Sequence, residues 1–175
     1  MTITLSTPRS QWIRALGMVD KADLIERVQR LTALWVIKPK AQPQSGLGVL
    51  KLKESTLSET FFLGEFPLVC VWVEVTTEAG QVAEGAANVM HDDLAYAEAL
   101  ALCDTMLANE LDGWQEIATL LNRGAESIIQ KENARKKILA STRVDFSLLE
   151  DAGDAAPNED SQETPLKGAS SHVAS

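Results

Sequence analysis

Val69-Cys70-Val71-Trp72-Val73-Glu74-Val75-Thr76-Thr77-Glu78-Ala79-Gly80-Gln81-Val82-Ala83-Glu84-Gly85-Ala86-Ala87-Asn88-Val89 decides the fold. Its first half alternates, with Val69, Val71, Val73 and Val75 on one face and Cys70, Trp72, Glu74 and Thr76 on the other. β-branched residues at period two make a half-buried strand. Glu78-Ala79-Gly80 supplies the turn, and residues 81–89 return as the antiparallel partner. The sheet is therefore built on a hairpin.

Upstream, Trp35-Val36-Ile37 is rich in strand formers, and residues 49–54 alternate Leu50 and Leu52 with Lys51 and Lys53. These predict two further short strands, with Pro39 and Gln42-Pro43-Gln44-Ser45-Gly46 as the connection between them. Nearer the start, Thr7-Pro8-Arg9 reads as a cap followed by proline at the first helical position, opening a helix that stops near Gly17. Asp20 caps a second helix over 21–34, with Leu24, Val28 and Leu31 on its apolar face.

Downstream, Asp92 or Asp93 caps a helix over 94–109, where Ala95, Ala97, Ala99 and Ala101 allow close approach to the sheet. Asp112-Gly113 ends it. Residues 114–121 fit either a helix or a strand, since Asp112 and Gln115 suggest a capping box while Ile117, Thr119 and Leu121 alternate. After Gly124 a helix runs over 125–139, polar all round from Lys131 to Lys137, as expected of a helix that projects into water or lies against a partner. The order predicts an α+β fold, a small antiparallel sheet with helices packed on one face. Residues 1–150 form one domain ending in a helical arm. Residues 151–175 form a tail with Asp151, Asp154, Glu159, Asp160 and Glu163 against Lys167 alone, and are expected to be disordered.

The chain carries a net charge of −9, and removing the tail's −4 leaves −5 on residues 1–150, which argues against binding along a nucleic-acid backbone. The longest apolar run, residues 66–73, is too short to span a bilayer, and the N-terminus lacks a sustained apolar stretch after a basic start. A cytoplasmic protein is expected. Cys70 and Cys103, each among apolar neighbours, read as two buried reduced thiols rather than a disulfide or metal knuckle.

Few residues could carry chemistry. His91 with Asp92 and Asp93 could form part of a metal site or an acid–base pair. The same residues could simply end a strand and cap the next helix, the aspartates favouring its dipole. Gly46-Leu47-Gly48 lacks the third glycine and the lysine–serine pair of a phosphate loop. Lys131, Arg135, Lys136, Lys137 and Arg143 form a local cationic stretch that could meet a triphosphate or an acidic surface, or could be solvated. Trp72 shares its face with Cys70, so that face is partly apolar and could be covered by a partner.

Several segments resemble, in order and spacing, the PhnG family of the bacterial carbon–phosphorus lyase system. They are Arg9-x-x-Trp12-x-x-x-Leu16 with Ala22-x-Leu24, then Phe61-Phe62-Leu63-Gly64-Glu65, Ala97-Glu98 with Asp104, and Arg143-Val144-Asp145-Phe146. They span residues 9 to about 149. Where the family places Gly-Arg-Asp before the Ala-Glu helix, this chain has His91-Asp92-Asp93, keeping only the aspartate. The residues after Phe146 also depart from the family's more aromatic continuation.

The resemblance implies a subunit of a symmetric hetero-oligomer with PhnI, PhnH, PhnJ, PhnL and PhnK-like partners. Together with PhnI, PhnH and PhnL it would serve transfer of the ribose triphosphate of ATP to a phosphonate, with release of adenine, before PhnJ cleaves the carbon–phosphorus bond. ATP and Mg would belong to the complex, with no cofactor held by this subunit alone. The chain itself would be structural and organising, its residues 125–146 docking Val144 and Phe146 on a neighbour. The alternatives are that His91, Asp93 or Arg143 contributes directly to catalysis or ATP binding, or that the chain is an unrelated small adaptor.

Overall fold

A computed structural model describes residues 5–142. After a single 3-10 turn at Arg9–Gln11 come α1 (Trp12–Leu16), α2 (Lys21–Leu31), the strands β1 (Val36–Lys53), β2 (Thr60–Thr76) and β3 (Val82–Val89), then α3 (Leu94–Asn109) and α4 (Trp114–Ser141). The strands form one antiparallel sheet in the order β1-β2-β3. The α+β expectation holds. The chain divides after Lys136 into two units. The first holds the sheet, α1 to α3 and most of α4. In the second, the described residues 137–142 finish α4, where the Thr142 N–H donates to the carbonyls of Ile138 and Leu139.

The alternation in β2 sets the layers. Val69, Val71, Val73 and Val75 are at most 3 % exposed, while Trp72 between them is 45 % exposed. Ala83, Ala87 and Val89 of β3 face the same way as the four valines and are buried. Over this face lies α3, which is apolar almost all round and has Leu100, Cys103 and Met106 fully buried. Each such side chain removed from water contributes roughly 1.5–3 kcal/mol. α2 and α1 pack on α3, adding Leu16, Leu24 and Val28 to the core, and the first half of α4 adds Ile117 and Leu121. Gly85 lets β3 and α3 touch, because a Cβ there would strike the Thr105 side chain and the Ala101 carbonyl.

Several boundaries differ from the sequence reading. Pro8 is extended (ψ 148°) and precedes the first turn rather than opening the helix, and the Trp12 indole N–H donates to the Thr7 carbonyl at 2.8 Å. α2 stops at Leu31, where the Thr32 hydroxyl turns back to the Val28 carbonyl. Residues 36–53 are one strand, not two. Because β1 is the sheet's outer strand, Pro39 and Pro43 cost it few ladder bonds, and the register slips between Pro39 and Ala41 and between Ala41 and Gln44 absorb the irregularity. Residues 114–121 are helical, and α4 runs unbroken through Gly124. That glycine is needed for contact, not for a break: a Cβ on it would collide with the Ala15 carbonyl of α1. Cys103 is buried as expected, but Cys70 is partly exposed. Arg143, Val144, Phe146 and the acidic tail 151–175 lie outside the described residues.

Candidate functional site

The end of β3 delivers His91 to the mouth of α3. Asp93 caps that helix, its Oδ1 accepting from the Tyr96 N–H at 3.1 Å, while its Oδ2 accepts from Lys21 Nζ at 2.9 Å. These partners, Lys21 first and the helix amide second, hold the Asp93 carboxyl below its ordinary range. Both carboxylate oxygens are thus engaged by groups other than the imidazole. His91 instead accepts the Asp93 backbone N–H on Nδ1 at 3.0 Å, which puts the proton of the neutral ring on Nε2. Asp92 Oδ1 is 3.2 Å from the same nitrogen. The ring leans on Tyr96, centroids 5.2 Å apart.

Beside His91 opens a cleft of about 530 Å³. Its floor is apolar, from Ile13, Val89 and Leu100, and its rim carries Ser10, Arg14 and Asn88. Arg14 is paired with Glu132 of α4 at 2.8 Å. Such a cleft can hold a small ligand or a partner side chain against the His91 side chain. Lys131 and Arg135, two of the cations singled out in the sequence, line a smaller hollow of about 210 Å³ with Arg14. Among the described residues, no three His, Cys, Asp or Glu side chains gather as a metal set.

Pairs invisible in the sequence tie the body together. Arg9 grips Asp104 with two hydrogen bonds of 2.8 and 2.7 Å, and Asp104 also accepts the Ala86 N–H of β3 at 3.2 Å. One carboxylate thus links the N-terminal turn, α3 and the sheet. Its polarity at a helix position facing the sheet was the available signal. Glu116 of α4 receives Arg27 at 3.0 Å and also Arg30, both from α2.

On the far side of the sheet from α3, no element among the described residues covers β2. Trp72, Cys70, Ala86 and Asn88 line a shallow cleft of about 420 Å³ there with Ala41 and Gln44 of β1. Lys40 closes one end by pairing with Glu84 at 2.6 Å and Glu74 at 3.2 Å. An apolar centre with a charged margin has the anatomy of a protein interface rather than of a catalytic centre. Ile129, Ile138 and Leu139 of α4 are also largely exposed.

No helix among the described residues is long and apolar enough to cross a membrane. The family profile described as phosphonate metabolism protein PhnG matches residues 7–150. No curated protein matches the chain.

Proposed function

The chain belongs to the PhnG family of phosphonate metabolism proteins, and on that footing we propose that it is a structural and organising subunit of a cytoplasmic carbon–phosphorus lyase core complex. In this reading it holds PhnI, PhnH and PhnL in the arrangement that moves the ribose triphosphate of ATP onto a phosphonate and releases adenine. PhnJ and PhnK-like subunits share the same assembly, and ATP and Mg are the complex's reactants rather than residents of this chain. The observation that carries it is the bare sheet face, where Trp72 stands 45 % exposed beside Cys70 with nothing of the described chain over it. An apolar centre with a polar margin marks an interaction surface.

Alkylation of Cys70 tests the reading. In the free chain Cys70 reacts, whereas in the complex obtained by co-expression with the neighbouring subunits it is protected. A monodisperse chain that ignores those subunits in pull-downs, its Cys70 reactive throughout, would overturn the proposal.

The second reading, direct contact with reactant, is favoured by one observation: His91 and Arg14 line the same cleft. His91→Ala, Asp93→Ala and Arg143→Ala, each in an otherwise intact complex, separate the two. Normal adenine release from all three variants leaves the organising role; loss of release with assembly intact assigns the residue to the site.

A further inference from the structure

β3 pairs with β2 only from Val69 to Thr76. Beyond that point β1 and β2 continue alone as a two-stranded ribbon, from the Gly46↔Leu68 pair to Lys53↔Thr60. Two-stranded hairpins are marginally stable in water, so a ribbon of this length calls for something else to hold it. Its side chains say what. The register places Leu50, Leu52, Phe61, Phe66 and Leu68 on one face, with the Phe66 ring laid over Gly48, where a Cβ would meet it at 2.5 Å. Leu47, Val49, Phe62 and Pro67 occupy the other face. Leu47, Phe62 and Leu63 are 62–68 % exposed, and Val49, Leu50 and Phe61 are 42–51 % exposed. With Leu57 at the turn, these exposed side chains present an apolar area on the order of the ~800 Å² each partner commits to a standard interface.

The ribbon's edges differ along their length. Between residues 36 and 44 the outer edge of β1 is guarded by Lys38, Pro39, Lys40 and Pro43 and by two register slips, devices that discourage strand addition. From Ser45 to Leu50 the register with β2 is uninterrupted and no proline intervenes. That stretch has an open row of backbone donors and acceptors.

We propose that residues 45–68 are an insertion arm that enters an apolar cleft of a different subunit, which covers both faces of the ribbon and adds a β-strand to the free edge of β1 over residues 45–50. A second copy of this chain does not meet the requirement. A two-fold contact, face to face or edge to edge, leaves at least one apolar face of each ribbon in water. Charge contributes little to the choice, since Lys51 and Lys53 are offset by Glu54, Glu59 and Glu65. Association is therefore only weakly dependent on salt. The inference rests on the organising role proposed above and names the element that performs it.

Two double variants probe the two faces: Leu50→Glu with Phe61→Glu, and Val49→Glu with Phe62→Glu. All four side chains are exposed, so the thermal midpoint of the free chain stays unchanged. Each double variant is expected to bind the co-expressed subunits of the assembly about 30-fold more weakly, as for loss of an interface hot spot. In the wild-type complex, amide exchange over residues 45–50 slows at least about tenfold relative to the free chain. If the wild-type complex forms while both variants join it normally and these amides stay unprotected, the arm is not inserted and the organising role stands on other surfaces. If only one face matters, the ribbon lies flat on its partner and the cleft is wrong. A homodimer of the free chain that both variants dissolve replaces the partner by a second copy. Failure of the wild-type chain to assemble overturns both proposals together.

Discussion

Asp104 sits at 9 % side-chain exposure with three hydrogen bonds, while its partner Arg9 is 59 % exposed. The asymmetry predicts unequal costs. Arg9→Ala leaves a nearly buried carboxylate with one backbone donor, and Asp104→Ala leaves the Ala86 N–H without its acceptor; each should lower stability by about 2 kcal/mol in urea unfolding. The double variant should cost less than the sum, by about 1 kcal/mol in a double-mutant cycle. Asp93 acts through pH. Its carboxyl is held below the ordinary range, so the stability it contributes is complete above its unfolded value of about 4 and is lost as pH falls through the lower folded value. Asp93→Asn, which can still cap, should flatten the acid limb of the stability–pH curve below pH 4. Burial pushes the Cys103 thiol up, so it resists alkylation in the native chain, and only Cys70 labels before denaturant is added. The cap at Asp93 was legible from its place before an apolar helix. The Arg9–Asp104 pair was not, because its members lie 95 residues apart and only the fold brings them together.

At the scale of elements, the sequence showed what local periodicity can show. The β2–β3 hairpin, α2 and α3 follow from alternation, helical spacing and aspartate caps. Gly124 and Pro39 misled because breaker residues have two uses: one ends an element, the other lets two elements approach or leaves an outer edge unpaired. Helix propensity alone says Gly124→Ala stabilises α4 by about 1 kcal/mol. Contact with the Ala15 carbonyl reverses the sign, and a net loss of about 2 kcal/mol is expected from chemical denaturation. Gly85→Ala should behave likewise against Thr105 and Ala101. A stabilised Gly124→Ala protein would show that α1 shifts freely away from α4.

For the whole molecule, the core takes its first β2 residue at Val69 and lies on the α3 side of the sheet with α1, α2 and the first half of α4, away from the ribbon. Replacing residues 47–67 by Asn-Gly, a two-residue turn suited to the Gly46↔Leu68 pair, should therefore keep the thermal midpoint within about 5 °C and reduce binding of a hydrophobic dye. A collapse of the midpoint would place the ribbon in the fold's own cooperative unit. The α+β class and the single helix-covered face were readable from the hairpin's alternation. The length of the arm was not, because its strands alternate weakly and carry glycines, prolines and apolar residues on both sides. Gly46, Gly48, Gly64 and Pro67 interrupt the apolar run by which a strand covered on two faces is otherwise read.

The ribbon also sets a clock during synthesis. Its residues are made before those of α3 and α4, and at about 5–20 residues per second these helices, which end at Ser141, take roughly 4–15 s to follow. For that interval, and afterwards until a companion arrives, an open strand edge with phenylalanines on both sides is offered to every other unfinished chain. Surplus copies should accordingly be removed by proteolysis, so that the cellular amount tracks the supply of the companion rather than the chain's own message. Expressed alone, the protein should be short-lived in a pulse-chase; the version with residues 47–67 replaced by Asn-Gly should persist.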